Sequence, residues 1–404
     1  MKVFPLHPWI RPAVAIFGLA LLCLTVLPEP APVWASRLTI LHTNDHHGHF
    51  AAFDSYLFTD IGGLAAQSTL VNRVRAEVES RGGGVLLLSA GDVNTGVPES
   101  DLLEARPDFE LMNREFDNPL SVLKQQRQWA DFPFLSANVQ VTETGRPLFD
   151  PFVIIRVGDL RVGILGLTTA ATPEMVPPAH ITGLIFLDPL AVAVERVSKL
   201  EERTDLMIAL THLGLEGPDY FSETAPHCDD RILAQRVQGI DVIVGGHSHT
   251  LLTTPLRVGQ TLIVQAGEWS KYVGRLDLEI TNGTIVSSSY ALLPVNLKTR
   301  FQYQGRSFQL YQGQAYVKDP LLDKAVSEYQ LEAGPHLLQS IGTSEVFLDG
   351  RTESVRSGET NLSRLITESM RAKTGGEIAF HNRRGIRDLR EPHRISAQDR
   401  LKIR

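Results

Sequence analysis

Cysteine is nearly absent from this sequence of 404 residues. Of its two cysteines, Cys23 lies in an N-terminal segment that we expect to be removed, and Cys228 remains. A single cysteine cannot form an intramolecular disulfide, so the mature fold must be held together by its core. A buried, inert thiol is the expected state of Cys228.

An excess of basic residues is also lacking. The chain has 39 Lys and Arg against 46 Asp and Glu, a formal net charge of −7. This balance gives no indication of binding to nucleic acid or to an anionic membrane surface. The apolar fraction of 43% and the charged fraction of 21% are ordinary for a soluble globular protein. No internal repeat or low-complexity tract is present, and the length suits two or three domains.

A hydrophobic run of the length needed to span a membrane is missing as well. The candidate is AVAIFGLALLCLTVL, residues 13–27. It is shorter than the roughly 20 residues of a spanning helix. Lys2 and Arg11 precede it, as in the basic start of a secretory signal peptide.

A cleavage site follows this run. In PVWAS, Val33 and Ala35 are placed for signal peptidase, so we expect residues 1–35 to be a signal peptide. A membrane anchor is one alternative. A lipoprotein attached through Cys23 is another, although Leu22 is bulky where a small residue is expected. The mature protein is therefore expected to be periplasmic or secreted, without a stable membrane anchor.

Beyond this leader, short strand-like runs alternate with amphipathic helical stretches. In GGLAAQSTLVNRVRAEVES, apolar residues recur near helical spacing: Leu64, Leu70, Val71, Val74 and Val78. The segment FVIIRVGDLRVGILGL predicts a hairpin that turns at Gly158 and Asp159. The alternation predicts an α/β fold with buried strands. Polar residues cluster just past the strand ends, where open α/β sheets bind ligands.

The chain divides near residue 295. Strand-rich sequence in residues 36–295 predicts one domain. Residues 296–334 predict a polar linker followed by a hinge helix over 317–333, with Asp319 as its cap and Pro320 in its first turn. Residues 335–404 predict a second unit, whose roughly 70 residues are marginal for independent folding.

Several motifs that follow predicted strands offer carboxylates and imidazoles. They contain Asp45, His47, Asp92, His212, His247 and His249. Oxygen and nitrogen donors of this mix suit Zn, Mn, Fe or Co. A shared carboxylate can bridge two cations, and such a pair activates water and clamps phosphoryl oxygens. Each residue alone has a structural alternative, but their common placement favours a two-metal site. The neighbouring histidines are expected to be structural: His42, His46, His49 and His227.

The order of the motifs resembles one family. ILHTNDHHGHF, GGLAAQSTLVNRVRAEVE, LLLSAGDVNTGVPESD, FPFLSANV, IALTHLG, IVGGHSHT and EWSKYVGRLDLEI are similar to the periplasmic 5′-nucleotidase / UDP-sugar hydrolase family of calcineurin-like metallophosphoesterases. The resemblance runs from Leu38 to Val295 and continues as GETNLSRLITESMRAKTGGEIAFHNRRGIRD. It implies a calcineurin-like β-sandwich flanked by helices in the first domain, and a partial α/β C-terminal 5′-nucleotidase domain after it.

The resemblance also implies roles for the candidate ligands. Asp45 and His47 would hold the first metal, and Asp92 would bridge it to the second. His249 takes a position where the family carries an amide or imidazole ligand to the first metal. The second metal would be held by His212 and His247.

One motif departs from the family. In the family, a Gly-Asn-His-Glu-Phe-Asp motif supplies a metal-binding Asn and a catalytic His–Asp dyad. The counterpart in this sequence is PDFELMNREFDNPL, which lacks the strand that precedes the motif in the family. Either Asn113 ends a helix and the ligand is lost, or Asn113 to Asp117 is the motif with Arg114 replacing the histidine. Arginine cannot donate its proton, but it can stabilise a transferring phosphoryl group. Arg114 and Asp117 are candidate catalytic residues; a plain turn at Asp117 is the alternative.

The C-terminal motif NRRGIRD departs as well. Arg387 matches a family arginine that contacts the phosphate or substrate end of the nucleotide, work that suits the fork of a guanidinium group. Arg383 and Arg384 replace glycines of the family's GGGIR. The family's domain continues beyond the point that Arg404 reaches, and there it supplies an aromatic pair for the nucleobase. We therefore expect a partial nucleotide-binding domain.

The resemblance implies hydrolysis of nucleotide phosphoesters such as AMP, and of pyrophosphate bonds in UDP-sugars, with two divalent ions such as Zn, Mn or Co. The expected partner is a small-molecule nucleotide, and the protein is expected to be a monomer. Two alternatives stay open. In the first, which the missing strand suggests, the chain is a non-catalytic remnant that binds metal or nucleotide. In the second, the chain hydrolyses 2′,3′-cyclic nucleotides.

Overall fold

The structure, a computed structural model, describes residues 35–54, 58–111, 120–215, 228–337, 340–381 and 394–396. The predicted signal peptide, apart from Ala35, lies outside these residues. Within the described part of the chain, no helix combines the length and the apolar character that crossing a membrane requires.

Strands and helices alternate along the chain. The strands are β1 (Ser36–Thr43), β2 (Gly84–Ser89), β3 (Val139–Val141), β4 (Phe152–Val157), β5 (Leu160–Thr168), β6 (Leu184–Phe186), β7 (Leu206–His212), β8 (Val242–Val244), β9 (Leu256–Val258), β10 (Thr261–Val264), β11 (Tyr272–Thr281), β12 (Thr284–Pro294), β13 (Lys298–Tyr303), β14 (Arg306–Tyr311), β15 (Ser340–Thr343) and β16 (Arg394–Ser396). The helices are α1 (Leu64–Glu79), α2 (Pro98–Leu102), α3 (Arg106–Leu111), α4 (Leu120–Trp129), α5 (Thr172–Met175), α6 (Pro189–Leu200), α7 (Asp230–Arg236), α8 (Pro320–Leu337), α9 (Thr352–Ser357) and α10 (Asn361–Thr374).

Two sheets form the centre of the molecule. The first has the order β12-β11-β1-β2, and β1 runs parallel to β2 and antiparallel to β11. The second has the order β4-β5-β7-β8-β10-β9, with its four middle strands parallel. Ile40 of β1 packs with Ile164 and Ile208 of the second sheet in one buried cluster. The sheets therefore pack face to face.

Helices cover the outer faces of this sandwich. Pleating turns Leu41, the neighbour of Ile40, to the opposite face of β1, where it packs with Val71 and Val74 of α1. On the second sheet, α6 and α7 pack over a separate cluster that includes Ile243 of β8. The predicted β-sandwich flanked by helices is thus present.

In the described part of the chain, β2 lies at one edge of the first sheet. The prediction of a missing strand concerns the segment between α3 and α4. Residues 112–119 lie outside the described residues. Leu87 of β2 is 36% exposed, which agrees with its position on an edge strand.

The predicted linker and hinge helix differ in detail from the structure. Residues 298–311 form a hairpin, β13–β14, rather than an irregular polar segment. Its turn at Gln304 and Gly305 has φ of 50° and 73°, which are the left-handed values of a tight hairpin turn. Asp319 caps α8 as predicted, because its side chain accepts from the Leu321 and Leu322 amides. The helix ends at Leu337, four residues later than predicted.

Candidate metal centre

The loops that carry the predicted ligands meet at one end of the sandwich. β1 and β2 end side by side in the first sheet, and the following loops are joined by hydrogen bonds from the backbone amides of Asp45 and His47 to the carbonyl oxygens of Gly91 and Asp92, at 2.7 and 3.0 Å. β7 and β8 end side by side in the second sheet. The backbone amide of His247, after β8, donates to the carboxylate of Asp45 at 3.0 Å, so the loops of both sheets converge.

Asp45, His47 and His249 form a first group. Their ligand atoms lie within 4.8 Å of one another. The Nε2 atoms of His47 and His249 are 3.0 Å apart, and Nε2 of His249 is 3.6 Å from Oδ1 of Asp45. On His47, Nδ1 donates to the carbonyl oxygen of Thr95 at 3.0 Å, which leaves Nε2 without a hydrogen in the neutral ring.

Asp45, Asp92 and His212 form a second group, again with ligand atoms within 4.8 Å of one another. Nε2 of His212 is 3.9 Å from Oδ1 of Asp45 and 3.7 Å from Oδ2 of Asp92. Nδ1 of His212 donates to the carbonyl oxygen of Ala90 at 2.9 Å, so its Nε2 lone pair faces the carboxylates. Asp45 is thus shared by both groups.

Asp92 also lies between the groups. Its Oδ1 is 3.3 Å from Nδ1 of His47, while its Oδ2 faces His212. The ring of His247 stands edge-on to that of His212, with the centroids 5.1 Å apart. The structure therefore brings all six predicted ligands to one place, with five side chains in the two groups and the ring of His247 beside the second.

The backbone at these ligands is unusual. Non-glycine residues rarely adopt positive φ, yet five of the six do so, with φ of 51°, 50°, 52°, 79° and 54° at Asp45, His47, Asp92, His247 and His249. Each such residue costs of the order of 1–3 kcal/mol and persists only where the surrounding structure enforces it.

Glycine is required next to the ligands. A Cβ atom at Gly246 would meet Nδ1 of His212 at 3.0 Å and Oδ2 of Asp45 at 3.2 Å. A Cβ atom at Gly245 would meet Oδ2 of the buried Asp230 at 2.0 Å. The two glycines of GGHSHT therefore let the loop after β8 approach the loop after β1 closely.

The electrostatics of both groups suit cations. Burial, followed by the neighbouring carboxylate of Asp92, raises the pKa of Asp45 to about 6. In addition, His47 and His249 present Nε2 atoms to each other at 3.0 Å, and two lone pairs at that distance repel unless a cation or a proton lies between them. A donor set of oxygen and nitrogen atoms in this arrangement fits divalent metal ions.

Sequence reasoning missed Glu268. Its Oε2 accepts from Nδ1 of His249 at 2.6 Å, and its Oε1 accepts from Nζ of Lys271 at 2.7 Å. Although burial raises the pKa of Glu268, the hydrogen bonds from His249 and Lys271 lower it to about 2. The signal was present as EWSK in a motif that carried the family resemblance, but the sequence did not indicate which side chain it would meet.

The other histidines of the loop have structural contacts. Burial lowers the pKa of His42 to about 3, that of His46 to about 4 and that of His49 to about 3, so all three are neutral. Nδ1 of His46 is 2.8 Å from Oγ of Ser270, and the His49 ring stacks on Trp269 at 4.9 Å. In the described residues they lie outside both groups.

The remaining predicted site residues cannot be placed. Asn113, Arg114, Asp117 and Arg387 lie outside the described residues, as does His227. Cys228 is buried, as predicted, and burial raises its pKa to about 12.

Comparison with known proteins places this geometry in context. The profile of the family described as calcineurin-like phosphoesterase matches residues 38–251. The chain is 37% identical to Protein UshA of Yersinia enterocolitica, over 92% of this chain and 74% of that protein. It is 37% identical to a 5′-nucleotidase of Vibrio cholerae, over 93% and 73%. A solved structure of a 5′-nucleotidase precursor from Thermus thermophilus superposes with a TM-score of 0.70 at 30% identity, covering 91% of this chain and 73% of that one.

Proposed function

Because the chain belongs to the calcineurin-like phosphoesterase family, in the branch that contains UshA and 5′-nucleotidases, we propose that it hydrolyses phosphoesters of nucleotides with two divalent metal ions. The observation that supports this most directly is the position of Asp45. Its buried carboxylate belongs to two groups of candidate ligands at once, as expected for a pair of ions held close together.

The two groups would hold one ion each. Asp45, His47 and His249 would bind the first. Asp92 and His212, together with Asp45, would bind the second, and the neighbouring His247 is the further ligand that the family resemblance implies. When bound, the two ions would neutralise the charge that develops on the phosphoryl oxygens and activate the attacking water.

The protein's own groups prepare this site in three ways. Carbonyl oxygens fix the orientation of the His47 and His212 rings. The close approach at Gly246 brings the two sheets' loops together. The buried carboxylate of Asp45 and the partly buried carboxylate of Asp92 supply negative charge that water screens only weakly. Substrate would meet a rigid cluster, which reduces the reorganisation that the reaction requires.

The finer assignments remain part of the proposal. We propose AMP-like phosphomonoesters as substrates, with UDP-sugars as a second class, and Arg387 as a contact to the phosphate. Residues 36–295 would form the metallophosphoesterase domain, 296–334 the linker and hinge helix, and 335–404 a partial nucleotide-binding domain. A signal peptide in residues 1–35 would direct the protein to the periplasm, where it would act as a monomer.

Phosphate release tests the proposal. When Mn²⁺, Co²⁺ or Zn²⁺ is added, the purified protein should release phosphate from AMP. It should also cleave UDP-glucose to a nucleoside monophosphate and a sugar phosphate. Asp92→Ala should fall to the background rate, while Asp159→Ala, at the exposed turn between β4 and β5, should keep the full rate. Release that is equal in the protein and in Asp92→Ala would reject the proposal.

A second candidate function is metal binding without turnover. It is favoured by the sequence PDFELMNREFDNPL, which lacks the histidine of the family's Gly-Asn-His-Glu-Phe-Asp motif. Two bound ions per chain without hydrolysis of AMP, UDP-glucose or a 2′,3′-cyclic nucleotide would support it. Opening of the cyclic nucleotide to a nucleoside monophosphate, without hydrolysis of the other two substrates, would instead favour the phosphodiesterase alternative.

A further inference from the structure

We propose that Glu268 is a positioning residue that commits His249 to bind metal through Nε2, and that this braced imidazole gives the first ion position a preference for Zn²⁺ or Co²⁺ over Mn²⁺. The inference rests on the metal site of the proposed function. It concerns the presence of histidine at residue 249, where the family resemblance implies either an amide or an imidazole ligand.

The contacts of His249 determine the tautomer of its ring. A carboxylate only accepts hydrogen bonds, so the 2.6 Å contact to Glu268 requires a hydrogen on Nδ1. In the neutral ring the lone pair then lies on Nε2, the atom that faces Oδ1 of Asp45 at 3.6 Å and Nε2 of His47 at 3.0 Å. A carboxylate behind a ligating histidine also makes the ring a stronger donor to the metal.

Glu268 is itself held in place. Its other oxygen accepts from Nζ of Lys271 at 2.7 Å, and Nζ of Lys271 lies 4.1 Å from the centre of the Trp269 ring. The backbone amide of Trp269 donates to the carbonyl oxygen of Asp45 at 2.7 Å. The turn at residues 268–271 therefore contacts both His249 and the backbone of another ligand of the same group, so it fixes their relative position.

The nature of the ligand atom determines the preference for the ion. Imidazole nitrogen suits Zn²⁺, whereas carbonyl oxygen suits Mn²⁺ and Mg²⁺, and Co²⁺ generally binds nitrogen and oxygen sites more tightly than Mn²⁺ does. A glutamine at residue 249 would offer its carbonyl oxygen to the ion and would need no carboxylate to select a tautomer. Glu268 should thus matter for metal binding when residue 249 is histidine and should matter little when it is glutamine.

A double-mutant cycle tests this coupling without any enzyme assay. The full chain, stripped of metal, is titrated with Zn²⁺, Co²⁺ and Mn²⁺ against a competing chelator for four proteins: the natural chain, Glu268→Gln, His249→Gln and the double variant. We expect Glu268→Gln to weaken Zn²⁺ and Co²⁺ binding about 10–100-fold. His249→Gln should reduce the ratio of Co²⁺ to Mn²⁺ affinity, and adding Glu268→Gln to it should change affinity less than about twofold.

Visible absorption of the Co²⁺-loaded protein gives a second readout, because it depends on the ligands of the ion. The spectrum should change in Glu268→Gln and stay unchanged in the matched control Glu77→Gln. Glu77 is a partly buried glutamate on α1 that pairs with Arg275 of β11. Lys271→Gln keeps the Glu268 carboxylate but removes the ammonium group that holds it. This variant should give a smaller loss of metal affinity than Glu268→Gln.

Two outcomes would overturn the inference. One is an affinity of Glu268→Gln equal to that of the natural chain. The other is an equal loss in the presence and absence of His249, which would indicate a general effect on the fold. A protein that shows the predicted coupling but releases no phosphate would retain this inference and reject the proposed catalytic function, so the two failures are distinguishable.

Discussion

At the scale of single residues, the candidate site is the place where local rules are broken. Several of its motifs place aspartates and histidines in the left-handed backbone conformation, with positive φ. Glycine or asparagine would adopt this conformation at a lower free-energy cost. Such conflicts between local preference and global structure are expected at functional sites. Positive φ also occurs at ordinary turns such as Gln304, so the strain at Asp45 and His249 supports the site only together with the convergence of their side chains.

The sequence predicted most of these residues, for a physical reason. Neighbouring parallel strands end at the same edge of a sheet, so Asp45 and Asp92, after β1 and β2, were expected to lie close together. The grouping of His212, at the end of a strand in the other sheet, with these two residues came from the family resemblance. Glu268 could not, because it lies 19 residues from His249 in the chain and reaches it only through the turn before β11. Its contact depends on the tertiary fold and not on spacing.

A buried carboxylate outside the site gives a prediction for single residues. Burial raises the pKa of Asp108 to about 8, although a hydrogen bond from Oγ of Ser100 opposes the shift. Because the folded pKa is above the unfolded one, the folded protein holds a proton that the unfolded chain releases. Stability is then greatest at low pH and falls as the pH rises from about 4 to about 8. The maximal effect is on the order of 5 kcal/mol.

Urea unfolding at pH 5, 7 and 9 checks this prediction. We expect Asp108→Asn, which cannot ionise, to lose less free energy of unfolding than the natural chain between pH 5 and pH 9. The variant Asp159→Asn, at the exposed turn between β4 and β5, keeps Asp108 and should follow the natural chain. Parallel pH dependence in Asp108→Asn and the natural chain would show that Asp108 does not titrate in this range.

At the scale of secondary structure, periodicity predicted the elements that pack against the core. The residues of α1 at helical spacing are all buried, from Leu64 to Val78, and β4 and β5 form the hairpin predicted at Gly158. The hairpin β13–β14 was not predicted, because its strands are exposed and contain no clear apolar alternation. The end of α8 was also predicted wrongly, since the helix continues through Gly334 and Pro335, both helix-breaking residues.

The cap of α6 provides a prediction at this scale. Oδ1 of Asp188 accepts from the amide of Leu190 at 3.0 Å, and α6 covers the second sheet with Val192, Ala193 and Val197. Asp188→Ala should lower the free energy of unfolding by about 1 kcal/mol, because the first turn loses its acceptor. Asp188→Ser keeps an acceptor and should recover most of this loss. Equal stability of the two variants, measured in urea, would contradict the role of the cap.

At the scale of the whole molecule, the candidate centre joins the two sheets. Asp45 and Asp92 follow strands of the first sheet, whereas His212 and His249 follow strands of the second. Apolar packing between the sheets, represented by Ile40 and Ile208, holds the sandwich from inside. Ions at its end would connect the same sheets through polar ligands, so the stability of the fold and the binding of metal should be linked.

Thermal unfolding tests this link. An ion that binds only the folded protein stabilises it by about 2.7 kcal/mol at a free concentration of 100 Kd, so Zn²⁺ or Mn²⁺ should raise the unfolding temperature and a chelator should lower it again. Asp45→Asn removes the carboxylate, and its negative charge, that is common to both groups and should abolish the shift. Asp159→Ala, far from the ligands, should retain it. A chelator effect that persists in Asp45→Asn would mean that metal stabilises the protein at another place, because no shared carboxylate would then be available to hold a pair of ions between the sheets.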